Sequence, residues 1–232
     1  MILSSETSAA AHPTPLWGGL LRHAGLQSEC LTAEACYEHL ILSVRDSLAF
    51  IRQSLGNFRQ TGAILPSSGA LARAMVDAIG PILPGDILVE LGPGTGVFTR
   101  QIRKRYPDNP LIAVEFNEPL AERLRHTHPD VHVVCGCASE IRIHVEALGL
   151  NPNRIGVVLS GLPLLSLPRP LCDAILAGLG EVVPLGRRYV QFTYSQRAWQ
   201  KWHLAGFRRD NPRRVWLNVP PASVLAFTRS DA

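Results

Sequence analysis

"VELGPGTG", residues 89–96, decides how this chain folds. An apolar run ends in an acid, Glu90, and passes into glycines at 92, 94 and 96. A helical pattern follows over 97–106. Glycines at a strand-to-helix turn let the backbone turn sharply and pass close beneath a ligand. The spacing is G-x-G-x-G. A dinucleotide fingerprint would place its third glycine at Val97, and a P-loop would need a Gly-Lys-Ser or Gly-Lys-Thr step; neither is met.

Working outward, strand and helix patterns alternate. "DILVEL" (86–91), "LIAVEF" (111–116), "VHVVC" (131–135), "IGVVLS" (155–160) and "RYVQFTYS" (188–195) read as strands. Helical patterns follow the first four, near 97–106, 118–126, 140–148 and 170–181. The strands are apolar nearly throughout, as expected when helices cover both faces of a parallel sheet. "RRVWLN" and "SVLAFTR" read as two more, joined by the stiff "VPPA" turn that suits an antiparallel edge. At the end of the second strand stands Glu115, placed to accept hydrogen bonds from both hydroxyls of a ribose, with Phe116 beside it for an adenine. A free 2′-hydroxyl with no phosphate clamp points to a nucleoside-type cofactor lacking a pyrophosphate.

Composition narrows the class. The 232 residues are 46% hydrophobic and 18% charged, which suits one well-filled domain rather than a disordered chain. No apolar run approaches the ~20 residues of a membrane-spanning helix. The N-terminus lacks the marks of an export signal. Five cysteines without framework spacing suggest a reducing, cytoplasmic setting. "CGC" at 135–137 has no partner pair with matching spacing, so no metal is expected. From Val183 onward, nine Lys or Arg face two Asp, a tail suited to nucleic acid, to an anionic membrane surface or simply to solvent.

Residues 1–35 read as a loose arm rich in Ala, Ser, Pro and Gly. Over 36–60 the period becomes helical. Val44, Leu48, Ile51, Leu55 and Phe58 form one stripe, and Arg45, Arg52 and Arg59 line up beside it. Such a helix suits either a lipid interface or its own domain. Pro66 breaks the chain, and Ser67 or Ser68 can cap the next helix.

"ELGPGTG" with the strand-end acid of "VEFN" resembles the class I S-adenosylmethionine-dependent methyltransferases over about 60–230. The resemblance implies a Rossmann-like, seven-stranded, mostly parallel sheet with its last strand antiparallel, within a domain spanning 61–232. It places Glu90, Gly92, Gly94 and Gly96 near the methionine part of the cofactor, Glu115 at the ribose, and Phe116, Cys137 and Ala138 beside the adenine.

The methyl acceptor is read after the fourth strand, in "VVLSGLPLLSLP" (157–168). Enzymes that methylate a base amino group place an Asn or Asp there, then Pro-Pro or Leu-Pro and a stacking aromatic. Here Ser160-Gly161 replaces the amide and Leu164 the aromatic, leaving a rim of Leu162, Leu164, Leu165 and Leu167. A base is disfavoured; a lipid-borne alkyl amine, nucleophilic once deprotonated, suits that rim. "GNFRQTGAILPSSGAL", "SGLPLLSLP", "QFTYS" and "VWLNVPPASV" together resemble bacterial phospholipid N-methyltransferases related to ribosomal RNA adenine dimethylases. That resemblance implies methylation of phosphatidylethanolamine toward phosphatidylcholine at the cytoplasmic membrane surface, with residues 41–60 on anionic lipid and no nucleic acid as partner. It makes Tyr194 and Ser160 the candidate catalytic residues. Ser67, Ser68, Gly161, Leu162, Pro163, Arg187 and Arg213 are the candidate substrate contacts, with Arg188 and Arg214 as further contacts for anionic headgroups. The alternatives are an RNA adenine dimethyltransferase and a non-catalytic lipid-surface protein.

Overall fold

The chain was analysed as a computed structural model that describes residues 69–195 and 204–231. The arm 1–35, the helix expected over 36–60, Ser67 and Ser68 lie outside the described residues.

The parallel strands are β1 (Ile87–Leu91), β2 (Leu111–Glu115), β3 (His132–Cys135), β4 (Ile155–Ser160) and β5 (Arg188–Thr193). They are followed by β6 (Phe207–Arg209), β7 (Arg213–Val215) and β8 (Ala222–Arg229). The helices are α1 (Gly69–Asp77), α2 (Val97–Arg105), α3 (Glu118–Thr127), α4 (Ile141–Ala147) and α5 (Arg169–Val182). The sheet order is β3-β2-β1-β4-β5-β8-β6, with β7 also on β8. β8 runs antiparallel to β5, as the sequence predicts.

Among the described residues, eight strands fill seven ranks. β6 pairs with Phe227–Arg229, and β7 with Ala222–Val224. They are two pieces of one edge rank, interrupted between Arg209 and Arg213 where Pro212 has no N–H to give to a ladder.

Alternation along the strands sorts side chains to two faces. Val89, Leu91, Ile112, Val114, Val158 and Tyr189 pack with α4 and α5. Leu88, Leu111, Ala113, Val157, Leu159 and Val190 pack with α1, α2 and the Leu124 end of α3. Both faces are covered, which explains the unbroken apolar runs.

From β1 the chain winds one way to β2 and β3, and from β4 the other way to β5. The crevice therefore opens between β1 and β4 at their carboxyl ends, where open α/β sheets bind ligands. Two loops meet there. Gly92 N–H bonds to Val114 O at 2.9 Å and Gly161 N–H to Leu91 O at 2.8 Å.

Candidate functional site

Two carboxylates, Glu115 and Glu90, flank the glycine loop, and the first bonds to it. Glu115 accepts Gly94 N–H at 3.0 Å with one oxygen and Asn117 N–H at 2.9 Å with the other. Asn117 caps α3 by accepting Leu120 N–H. One acid thus ties the β1 loop to the end of β2 and keeps spare lone pairs on each oxygen. Gly94 has φ +56°, and a Cβ there would meet nothing within 4 Å. The space above it is open.

Glu90 is fully buried and accepts the Thr99 hydroxyl at 2.7 Å. Its other oxygen, Oε1, is buried without a hydrogen-bond partner. Burial holds the proton on this acid, raising its pKa to about 7; the Thr99 hydrogen bonds oppose that and Glu115 adds slightly to it. An orphaned buried acceptor costs about 1–3 kcal/mol, an energy that a cationic or N–H donor at this place would recover.

Phe116 follows β2, half-buried against the α4–α5 core. After β3, Ala138 is buried and Cys137 half-buried, its Sγ 3.1 Å from Ser139 Oγ. Gly136 lies against the His144 ring, and His144 Nε2 is 2.9 Å from Cys137 O. His144 shapes this loop from behind, the structural role its helix position implies. The Cys135 thiol is pushed up to about 11 by burial and by Glu118, so it is not poised as a nucleophile. Among the described residues no group of three His, Cys, Asp or Glu is placed to hold a metal ion.

The acceptor loop is built on a close approach of two backbones. A Cβ on Gly161 would sit 2.7 Å from Gly92 O, so no larger residue fits without parting the loops. Ser160 is fully buried, and its Oγ accepts Leu162 N–H at 3.2 Å. Leu162 O accepts Gln191 Nε2 at 2.9 Å, and Gln191 Oε1 accepts the buried Tyr189 hydroxyl at 2.7 Å. Ser160 also bonds to Tyr189. Farther along, the Cys172 thiol donates to Leu164 O. The Ser160 hydroxyl and the Leu162 and Leu164 carbonyls are thus satisfied inward, while Ser166 is exposed.

Two expectations change here. Ser160 was a catalytic candidate, but its hydroxyl is turned into this network with no exposed surface, so it positions the loop instead. Leu164 was placed on the rim and is buried in the core, 2% exposed. The apolar surface of the loop comes from Leu162, Leu165 and Leu167, with Pro163 exposed among them.

Tyr194 stands just beyond β5 on the same edge, 40% exposed. Its ring meets Phe192 edge-on at 5.6 Å, and Phe192 meets Phe98 at 5.8 Å. Phe98, in the first turn of α2, also lies 3.5 Å from where a Gly161 Cβ would be. An aromatic row therefore links the glycine-loop helix to Tyr194. Burial raises the Tyr194 phenol, and a hydrogen bond with Asn218 works the other way. The side chain is neutral near pH 7 and can accept a hydrogen bond.

The arginines divide. Arg187 precedes β5 and so lies at the opposite edge of the sheet from both loops. There it pairs with buried Asp86 at 2.9 Å, and Arg188 pairs with Asp210 at 3.2 Å. Arg187 is therefore a structural clamp and not a substrate contact. Arg213, at the start of β7, is exposed and bridged at 3.0 Å to the exposed Asp77 in the last turn of α1. Sequence reading missed Thr99, Gln191 and Tyr189. A signal existed for the last two: in "RYVQFT" they alternate, so both point to one face of a buried strand.

Comparison with known proteins places this geometry. No protein-family model matches the chain. The ornithine lipid N-methyltransferase of Singulisphaera acidiphila is 27% identical over 185 residues, 77% of this chain and 94% of that protein. The ribosomal RNA small subunit methyltransferase A of Albidiferax ferrireducens is 35% identical over 92 residues, 40% of this chain. The chain spans only 34% of that relative's length. Among solved structures, the 1,6-didemethyltoxoflavin-N1-methyltransferase of Burkholderia thailandensis aligns with TM-score 0.60 at 13% identity. That alignment covers 89% of this chain and 94% of that one. The fold is that of the S-adenosylmethionine-dependent methyltransferases. The cofactor of this fold is S-adenosylmethionine, and the residues present fit it. Glu90 Oε1 is a buried acceptor that an ammonium could satisfy, Gly94 leaves open space, and Glu115 keeps lone pairs that a diol could use.

Proposed function

We propose that this chain transfers methyl groups from S-adenosylmethionine to the primary amine of a membrane lipid. Phosphatidylethanolamine and its mono- and dimethyl derivatives are the acceptors, on the way to phosphatidylcholine. One observation carries the acceptor class: in the Ser160–Leu167 loop the Ser160 hydroxyl and the Leu162 and Leu164 carbonyls are bonded inward, while Leu165 is exposed and Leu162 and Leu167 are half-buried beside the crevice. A base amino group is a poor nucleophile and needs an amide, a carbonyl and a stacking ring beside it. Here the amide position is a buried serine and the ring position a core leucine. A deprotonated alkyl amine needs little polarisation. It needs loss of water, loss of one proton and an in-line approach.

The cofactor supplies an electrophilic methyl group on a sulfonium. The chain's part is placement. Glu115 and Gly94 fix the loop that would carry the cofactor, and Glu90 would meet its cationic end. Leu162, Leu165 and Leu167 exclude water around the entering amine. In the first two transfers Tyr194 accepts a hydrogen bond from the amine and orients its lone pair, and in all three its ring lies near the cation that grows with each methyl added. Bulk water takes the released proton. Arg213, exposed at the start of β7 beside Asp77, meets anionic headgroups of the surrounding lipid. The work is done on the cytoplasmic membrane surface, with residues 41–60 as one anchor.

The relative with an ornithine lipid in its name supports a lipid amine, because this chain spans nearly all of that protein's length. The test is label transfer from methyl-labelled S-adenosylmethionine to three acceptors: phosphatidylethanolamine vesicles, ornithine-lipid vesicles and ribosomal RNA. Label in phosphatidylethanolamine supports the full reading. Label only in ornithine lipid keeps the lipid amine and replaces the headgroup. Label only in RNA refutes the reading.

A further inference from the structure

The turn between β7 and β8 is built inside out. Trp216 is 73% exposed, Leu217 81% and Val219 62%, while Asn218 between them is only 2% exposed. Hairpin tips in water usually show the reverse. The buried Asn218 ties the tip down: its Nδ2 donates to Pro220 O at 2.8 Å, and its side chain bonds to Tyr194.

Topology places that tip. β8 runs antiparallel to β5 with Thr193 opposite Ser223, so the start of β8 lies beside the end of β5. The tip therefore projects from the same edge of the sheet as the glycine loop, the Ser160–Pro163 loop and Tyr194. Charge sits behind it. The Arg214 guanidinium lies 5.2 Å from the Trp216 ring centroid and donates to Ser223 Oγ, and Arg213 is exposed one residue earlier. Tryptophan with arginine at its base is the pairing that suits a membrane interface, the ring at headgroup level and the cation among phosphates.

We propose that Trp216, Leu217 and Val219 form a wedge that enters an anionic lipid bilayer and presses the mouth of the site against it. The wedge takes no part in catalysis; it delivers the site to the plane where lipid headgroups lie. The choice of a bilayer as occupant rests on the lipid-amine reading, and the surface itself rests on exposure and topology. It is a second contact, separate from residues 41–60.

The test uses the full chain and vesicles of phosphatidylethanolamine and phosphatidylglycerol, some with brominated acyl chains. Tryptophan fluorescence is expected to be quenched by bromine in the wild type, with most of that quenching lost in Trp216→Phe. Leu217→Asp and Val219→Asp, both at exposed positions, are expected to bind vesicles at least tenfold more weakly. Methylation of a short-chain phosphatidylethanolamine dispersed below its micelle concentration is expected to stay unchanged. Equal quenching in wild type and Trp216→Phe, or unweakened vesicle binding by both aspartate variants, overturns the wedge and leaves the lipid-amine chemistry untouched. Quenching specific to Trp216 without methylation of any lipid keeps the wedge and removes the chemistry.

Discussion

The two halves of the crevice treat polarity in opposite ways. On the β1–β2 side, carboxylates are buried and left incompletely satisfied. Glu90 keeps an oxygen without a partner, and Glu115 spends only one lone pair per oxygen on the protein. On the β4–β5 side, Ser160, Tyr189 and Gln191 satisfy one another and the loop, and the surface is leucine. An unsatisfied polar half waits for a polar ligand, and a satisfied apolar half for a greasy one. The difference is the basis of the proposed pairing of a charged nucleoside donor with an apolar-tailed acceptor in one crevice.

The comparison breaks most sharply at the seam between the halves. Gly161→Ala puts a methyl 2.7 Å from Gly92 O, a backbone atom that cannot swing aside. Overpacking of ~2–3 kcal/mol, which reads as about 100-fold in rate, is expected in turnover, with a lower melting temperature. Turnover within a few-fold of wild type would mean that the loops are not in register as described.

The polar half is tested next. Glu115→Ala removes the acceptor for Gly94 N–H and the carboxylate offered to the ribose. Affinity for S-adenosylhomocysteine should fall by about 30-fold, since hydrogen bonds to a charged group are worth ~1.5–3 kcal/mol. Titration calorimetry reads it, and unchanged affinity would move the ribose elsewhere.

Glu90 sharpens the same half through pH. Its proton is held up to about pH 7 in the folded chain, against an ordinary value of 4.5. The folded state therefore binds the extra proton between those values, so this group's contribution to stability falls as pH rises through that window and is fully lost above it. A cationic ligand end prefers the ionised acid, so cofactor-product affinity should rise about tenfold from pH 6 to pH 8. Glu90→Gln should flatten that slope and raise stability at pH 8 relative to wild type. An unaltered slope in Glu90→Gln would assign the titration to another group.

The smallest effect belongs to the apolar half. Tyr194→Phe keeps the aromatic row and removes one hydroxyl, so turnover on the lipid amine should fall by about three- to tenfold, the worth of one neutral hydrogen bond. Cofactor affinity should not change. Unchanged turnover on all three acceptors would remove the hydroxyl from the mechanism.

Much of the fold was legible because strands buried on two faces write themselves as apolar runs, and the glycine loop with its two acids marks the crevice. Arg187 shows where that reading fails. A basic residue at a strand start looks free in sequence, yet the parallel sheet sets it beside Asp86 at the edge away from the site. Ser160 fails differently: a polar residue at a strand end looks available until Tyr189 and Leu162, 29 and two residues away, claim its hydroxyl. Long-range pairing of this kind leaves no local pattern. The inverted tip at 216–219 was invisible for the same reason, since buried Asn218 bonds to Tyr194, 24 residues earlier.

One measurement reaches the central claim directly: mass spectrometry of lipid extracted after purified full-length chain, S-adenosylmethionine and phosphatidylethanolamine vesicles are incubated together. The account predicts headgroups heavier by one, two or three methyl groups, all on nitrogen. Unmodified headgroups beside methylated adenine in a parallel ribosomal RNA incubation would contradict it.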